Sequence, residues 1–219
     1  MAADFVIAVD GPAASGKGTI AAGLARLYSL PHLDTGLLYR AVGHALLSEG
    51  ADLDDAERAA AIASDLDPER LADAALTSAA AGEAASRVAV HPAVRQALYE
   101  LQRAFAARPG GAVLDGRDIG TVIAPAAPAK LYVTATPEVR AMRRWRQVTA
   151  AGEPIAYDAM LAEIRRRDER DAGRDTAPMT RADDAALLDT TEMGISAAAD
   201  AARRIVQAAR ARWEADPSG

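Results

Sequence analysis

Residues 5–19 read FVIAVDGPAASGKGT, an apolar run that opens into a glycine-rich loop ending in lysine and threonine. Phe5-Val6-Ile7-Ala8-Val9 has the length and composition of a buried strand, and Ile20, Leu24, Leu27 and Tyr28 then recur at helical spacing. Strand, glycine loop and helix in direct succession form the first unit of an α/β fold, in which each helix carries the chain back for the next parallel strand. The loop Gly11-Pro12-Ala13-Ala14-Ser15-Gly16-Lys17-Gly18-Thr19 also suits phosphate. Its glycines let successive N–H groups point inward around oxyanions, the helix N-terminus adds positive potential, and Lys17 is spaced to reach β- and γ-phosphates. The generic pattern has the hydroxyl directly after the lysine; here Gly18 intervenes and Thr19 supplies it.

The alternation continues along the chain. Helices are expected near 35–47, 92–105, 137–150, 156–172 and 195–213, and strands at 112–114, 131–134 and 187–188. Residues 51–85 are alanine-rich and weakly periodic, with Pro68 as a break, which predicts short helices and a mobile connection. The pattern therefore describes one domain over 1–219: a three-layer α/β/α core on a parallel sheet, with a helical insertion after the second helix. The tail 215–219 is expected to fray.

If the phosphate loop serves transfer between two nucleotides, two polyanions must be brought together, which needs several cations at one point while the remaining surface can stay acidic. The net charge of −6 fits such a division, and offers no long-range attraction to nucleic acid polymers or anionic membranes. Arg167, Asp171 and Arg174 are spaced i, i+4, i+7, which sets two guanidinium groups around a carboxylate if the helix passes Gly173. Arg140, Arg143 and Arg144 share a face of another helix, and Lys17, Arg143, Arg167 and Arg174 are the candidate catalytic cations. Each cluster alone also reads as an ordinary solvated helix face laced with ion pairs. Asp115-Gly116-Arg117-Asp118 ends a strand, the place where open parallel sheets bind ligands, although Asp-Gly is also a turn former. Asp115 and Thr19 are the candidate Mg²⁺ residues, directly or through water.

His32, His44 and His91 lack metal-ligand spacing and read as surface or half-buried side chains. Trp145 either helps a lid stack on adenine or has a packing role. The chain has no cysteine, so neither disulfides nor thiolate ligands hold the fold, and no apolar run approaches membrane-spanning length; a cytoplasmic protein is expected.

The Lys-Gly-Thr ending resembles nucleoside monophosphate kinases. With it, VDGPAASGKGT, LDTGLLYRAV, EAASRVAVHPAVRQAL, QRAF, DGRDIGTVI, EIRRRDERDAGR and LLDTT together resemble bacterial cytidylate kinases over nearly the whole chain. The resemblance implies an adenylate-kinase-like core, an NMP-binding insertion at about 50–104, a mobile lid at about 148–160, ATP with Mg²⁺ as donor, and CMP or dCMP as acceptor. It implies further that Thr35, Arg40 and Arg117 meet the CMP phosphate and that Ser86, Arg95 and Asp118 line the cytosine. Arg167 and Asp171 would hold ribose or phosphate, and Arg174 the base or phosphates after closure. In that family the insertion commonly carries a small β-sheet, whereas 66–85 shows no strand pattern.

The residue types suit cytosine. Its C4 amine needs a carboxylate, and its N3 and O2 need donors such as Arg and Ser. Uracil would set an acceptor against Asp118, so UMP is expected to be a poor acceptor. On the residues alone, a kinase of UMP, AMP or shikimate and a nucleotide-dependent switch stay open as alternatives. A monomer is the expected state.

Overall fold

The computed structural model describes residues 4–67, 74–152, 155–174 and 177–215. Strands β1 (Phe5–Asp10), β2 (His32–Asp34), β3 (Gly111–Gly116), β4 (Ala129–Thr134) and β5 (Ala186–Asp189) form one sheet in the order β2-β3-β1-β4-β5, and every neighbouring pair is parallel. Such a sheet needs cover on both faces. Along the central β1, Val6 and Ala8 point to one face while Phe5, Ile7 and Val9 point to the other.

The first face is covered by α2 (Thr35–Glu49), α3 (Ala56–Ser64), α4 (Ala79–Val88) and α5 (Pro92–Ala106), through Leu38, Val42, Ala59, Val88 and Leu98. The second is covered by α1 (Lys17–Tyr28) and α8 (Ile195–Ala215), through Ile20, Leu24, Ala202 and Val206. This is the expected three-layer core. Each fully buried aliphatic side chain of this kind contributes roughly 1.5–3 kcal/mol relative to exposure.

The alanine-rich segment has a packing explanation. A Cβ on Gly43 of α2 would stand 2.7 Å from the Cβ of Ala84, so α2 and α4 approach through small residues where larger ones would collide. The described residues there are helical: α3, a 3-10 turn at Ala74–Thr77, then α4, in agreement with the expected short helices. Pro68 lies outside the described residues.

β2 was not foreseen. Three residues are too few to show an alternation, and the strand is set by pairing His32, Leu33 and Asp34 with Val113, Leu114 and Asp115 of β3. Asp34 then accepts from the Gly36 N–H at 2.9 Å and starts α2. The helices α6 (Pro137–Ala150) and α7 (Tyr157–Ala172) make a third cluster, in which Ala141, Val148, Met160 and Ile164 meet Ala13 of the glycine loop. Glu153, Pro154 and the tail 216–219 fall outside the described residues.

Candidate active site

A cavity of about 750 Å³ lies at the C-terminal ends of the strands, between the glycine loop, β2, β3, α6, α7 and the start of α8. It occupies the place where doubly wound sheets bind ligands. The loop is shaped by contact as much as by flexibility. A Cβ on Gly11 (φ +148) would fall 2.0 Å from the carbonyl oxygen of Val133, and Gly16 (φ +93) supplies the left-handed residue that starts α1. Its carbonyls are tied from outside. Arg140 donates to Ala13 O at 3.2 Å, Arg143 donates to Ser15 O at 3.2 Å, and the buried Thr190 hydroxyl donates to Ser15 O at 3.0 Å. Lys17 Nζ reaches the Pro12 carbonyl at 3.5 Å, a weak partner that leaves it for an anion.

Arg40, Arg117, Arg143, Arg144 and Arg167 line the same cavity as Lys17. Arg117 Nε donates to Asp171 at 2.8 Å, and Arg174, just past the Gly173 end of α7, pairs with Asp171 at 3.2 Å. Burial alone would raise the Asp171 carboxyl, but Arg117, Arg167 and Arg174 outweigh it and hold it below its ordinary value. Arg167 is less well served. Burial first, and Arg117 beside it, lower its pKa to about 10, and among the described residues its buried Nε has no hydrogen-bond partner. A guanidinium left this way is suited to a phosphate. Arg40 is aimed by the 3-10 turn before α4 and the residue that caps α4: its Nη1 donates to Leu76 O at 2.8 Å and Ser78 O at 3.3 Å.

The residues proposed for the base stand behind this cavity and do not line it. Arg95 and Asp118 form an ion pair, each 8% exposed, and the Arg95 guanidinium lies 5.8 Å from the Tyr39 ring centre. Burial keeps the Asp118 carboxyl above its ordinary range although Arg95 and Arg174 pull it down. Ser86 Oγ is buried and has no partner among the described residues. Thr35 Oγ donates to Asp115 O at 2.8 Å.

Thr19 is exposed on the first turn of α1. Asp115 is buried, with His32 Nε2 2.8 Å from its Oδ1, and it lies beside Gly18, where a Cβ would make ordinary contact with Asp115 Oδ2 at 3.7 Å. Asp34, absent from the sequence-based site, faces the same cavity beside Asp115; burial first, and then Asp115, push its carboxyl upward. Among the described residues no three acidic, His or Cys side chains converge into a metal cage. One or two carboxylates, a hydroxyl and water suit Mg²⁺ that arrives on nucleotide phosphates.

Residues 7–209 match the family model described as cytidylate kinase. The chain belongs to the cytidylate kinase family. It is 64% identical over 215 residues to a cytidylate kinase of Caulobacter sp. (strain K31), covering 98% of this chain and 99% of the relative. A cytidylate kinase of Xanthobacter autotrophicus is 60% identical, covering 94% of this chain and 99% of the relative. The crystal structure of an uncharacterized protein from Eubacterium ventriosum shares the fold, with a TM-score of 0.56 at 12% identity, covering 94% of this chain and 99% of that one.

Within this cytidylate kinase fold, Arg140 and Trp145 act as braces. Arg140 is buried and pairs with Asp168 at 3.0 and 2.5 Å, joining α6 to α7, and Trp145 Nε1 donates to Ile155 O at 2.8 Å away from the cavity lining. Arg143 donates to both the Oγ and the carbonyl of Thr190, at 3.0 and 2.7 Å, so it clamps the loop as well as facing the cavity. Asp10 and Thr190, like Asp34, were missed in the sequence because their roles depend on partners more than 30 residues away.

Lys17 gives a signed pH prediction. Burial first, then Arg117, lower its pKa to about 8 from 10.5. Between those values the unfolded chain binds more protons than the folded one, so the ligand-free protein gains stability as pH rises through that window. Nucleotide phosphate needs the charged lysine, so ATP affinity is expected to fall over the same range. Denaturant titrations and ATP binding at pH 7 and 9, compared between wild type and Lys17→Met, check both signs; equal pH dependence in the two proteins contradicts the assignment.

Proposed function

We propose that this cavity aligns Mg-ATP with CMP or dCMP for direct phosphoryl transfer. ATP-dependent phosphorylation of CMP to CDP is the reaction of the family to which the chain belongs. The observation that carries the residue assignment is the convergence of Lys17, Arg40, Arg117 and Arg167 on one cavity of an otherwise acidic protein. The loop from Gly11 to Thr19 would hold the ATP phosphates. Arg40, Arg117 and Thr35 would hold the acceptor phosphate, and Arg167, Arg174 and Arg143 would stabilise charge during transfer. Ser86, Arg95 and Asp118 would read cytosine once the ion pair opens to it, with Asp171 fixing the arginines around ribose or phosphate. Thr19 and Asp115, with Asp34, suit Mg²⁺, which when bound neutralises charge on the phosphates.

The acceptor phosphate has a second pKa of about 6, so it is already largely ionised at neutral pH and no general base is needed. Alignment supplies the rate. Segment 50–104 is proposed as the NMP-binding insertion and 148–160 as the lid; the proposed insertion meets α7 through the Glu83–Arg170 pair at 2.8 Å. No described helix is long and apolar enough to cross a membrane. A cytoplasmic monomer acting on small nucleotides, without a nucleic acid polymer as partner, is part of the proposal.

The test is ADP formation with Mg-ATP across CMP, dCMP, UMP, AMP, GMP and shikimate, with and without EDTA. Turnover is expected with CMP and dCMP only and is expected to stop with EDTA. Equal turnover with UMP overturns the base pocket, and hydrolysis without any acceptor overturns the kinase reading.

A further inference from the structure

We propose that Asp10 is a positioning residue for the acceptor base: it caps the turn that follows Asp118 and so leaves the Asp118 carboxylate free for the pocket. The proposal rests on the assignment of Asp118 to the cytosine. Residues Ile119–Ile123 form a single π-helical turn, in which the N–H groups of Val122 and Ile123 both donate to Asp118 O and that of Ala124 donates to Ile119 O. The first N–H groups of such a turn have no partner inside it. Aspartate at the residue before a helix ordinarily turns its own carboxylate onto them. Asp118 occupies that position and makes no such bond; its carboxylate is engaged with Arg95.

Asp10 supplies the cap from another strand. Its Oδ1 accepts from the Ile119 N–H at 2.8 Å and its Oδ2 from the Gly120 N–H at 2.7 Å. Both oxygens are used, one for each orphan donor. The fit is close, since a Cβ on Gly120 would stand 3.3 Å from Asp10 Oδ2 and 3.2 Å from Lys130 Cδ. Asp10 is 5% exposed and is the last residue of β1, directly before Gly11. The strand that delivers the phosphate loop thereby also sets the residue that reads the acceptor. Burial pushes the Asp10 carboxyl up to about 7, and the two N–H donors resist that rise, as expected of a group held for its acceptors. Without both oxygens, the free N–H groups recruit the carboxylate of Asp118, the residue at the cap position, and withdraw it from Arg95.

Asp10→Asn keeps the shape but offers one acceptor instead of two. KM for CMP is expected to rise about tenfold, the low end for removing a group that orients a site residue, while ATP affinity measured by calorimetry stays near wild type. The preference for CMP over UMP is expected to relax, and in an Asp118→Asn background the Asp10→Asn change is expected to add nothing to that preference. If Asp118→Asn leaves the preference intact, the pocket assignment itself fails. If Asp118→Asn relaxes it but Asp10→Asn does not, or Asp10→Asn weakens ATP as much as CMP, the cap is refuted and Asp10 belongs to the phosphate loop. Should Asp10→Asn not fold, Gly120→Ala crowds the same cap with Asp10 in place; an unchanged KM for CMP there refutes the proposal equally.

Discussion

Lys17→Ala is expected to lower turnover by about 10²–10³-fold, the range for removing one preorganised cation or donor from a transition state, while leaving the protein folded. The lysine has little structural work. Among the described residues its one hydrogen bond is the 3.5 Å contact to Pro12 O, and its lowered pKa of about 8 means that the fold holds this charge against the cost of burial. Removing it relieves that cost, so the variant should be at least as stable as wild type at pH 7. Steady-state turnover with Mg-ATP and CMP, together with a thermal melt, separates the two effects. Retained activity removes the phosphate-loop assignment. A collapsed melting temperature would instead make Lys17 a structural residue.

The parts of this site that could be read in the sequence are those whose partners are close in the chain. The loop from Gly11 to Thr19 declares itself because its shape and chemistry are encoded in nine consecutive residues. The spacing of Arg167, Asp171 and Arg174 likewise foretold one arginine–carboxylate cluster, and the doubt about Gly173 was answered by α7 ending at Ala172 with Arg174 still reaching Asp171. Asp34 was hidden for a different reason. Its place beside Asp115 depends on the pairing of β2 with β3, 81 residues further along the chain, and three residues carry no periodicity. Asp10 was hidden in plain view, since it ends a recognised strand but acts on Ile119 and Gly120 through a fold that only the assembled sheet creates. The position of Arg140 shows the reverse error of emphasis. Its spacing puts it on one helix face with Arg143 and Arg144, but burial and the Asp168 pair make it a brace.

The Arg95–Asp118 pair is expected to give the largest stability effect. Arg95→Ala leaves a buried carboxylate without its partner, at a cost of about 3 kcal/mol, the lower end for breaking such a pair. The direction with pH follows from Asp118. Burial already holds its carboxyl above the ordinary value, and the Arg95 guanidinium opposes that rise most strongly. Without Arg95 the folded-state pKa rises further above that of the unfolded chain, so the folded variant binds the extra proton. Its stability is then expected to fall as pH increases from the ordinary carboxylate range toward that raised pKa, and the deficit relative to wild type should be greater at pH 8 than at pH 5. Removing both charges distinguishes structure from function: an Arg95→Met, Asp118→Leu double variant is expected to recover much of the lost stability and lose the pH dependence, because well-packed apolar replacements of a buried pair are often neutral. It should still fail to use CMP, having neither the carboxylate for the amine nor the guanidinium for N3 and O2. Denaturant unfolding at the two pH values and CMP turnover for the single and double variants decide the matter. A double variant that is stable and still selects CMP over UMP would take cytosine recognition away from this pair and leave it as a strut between α5 and the turn after β3.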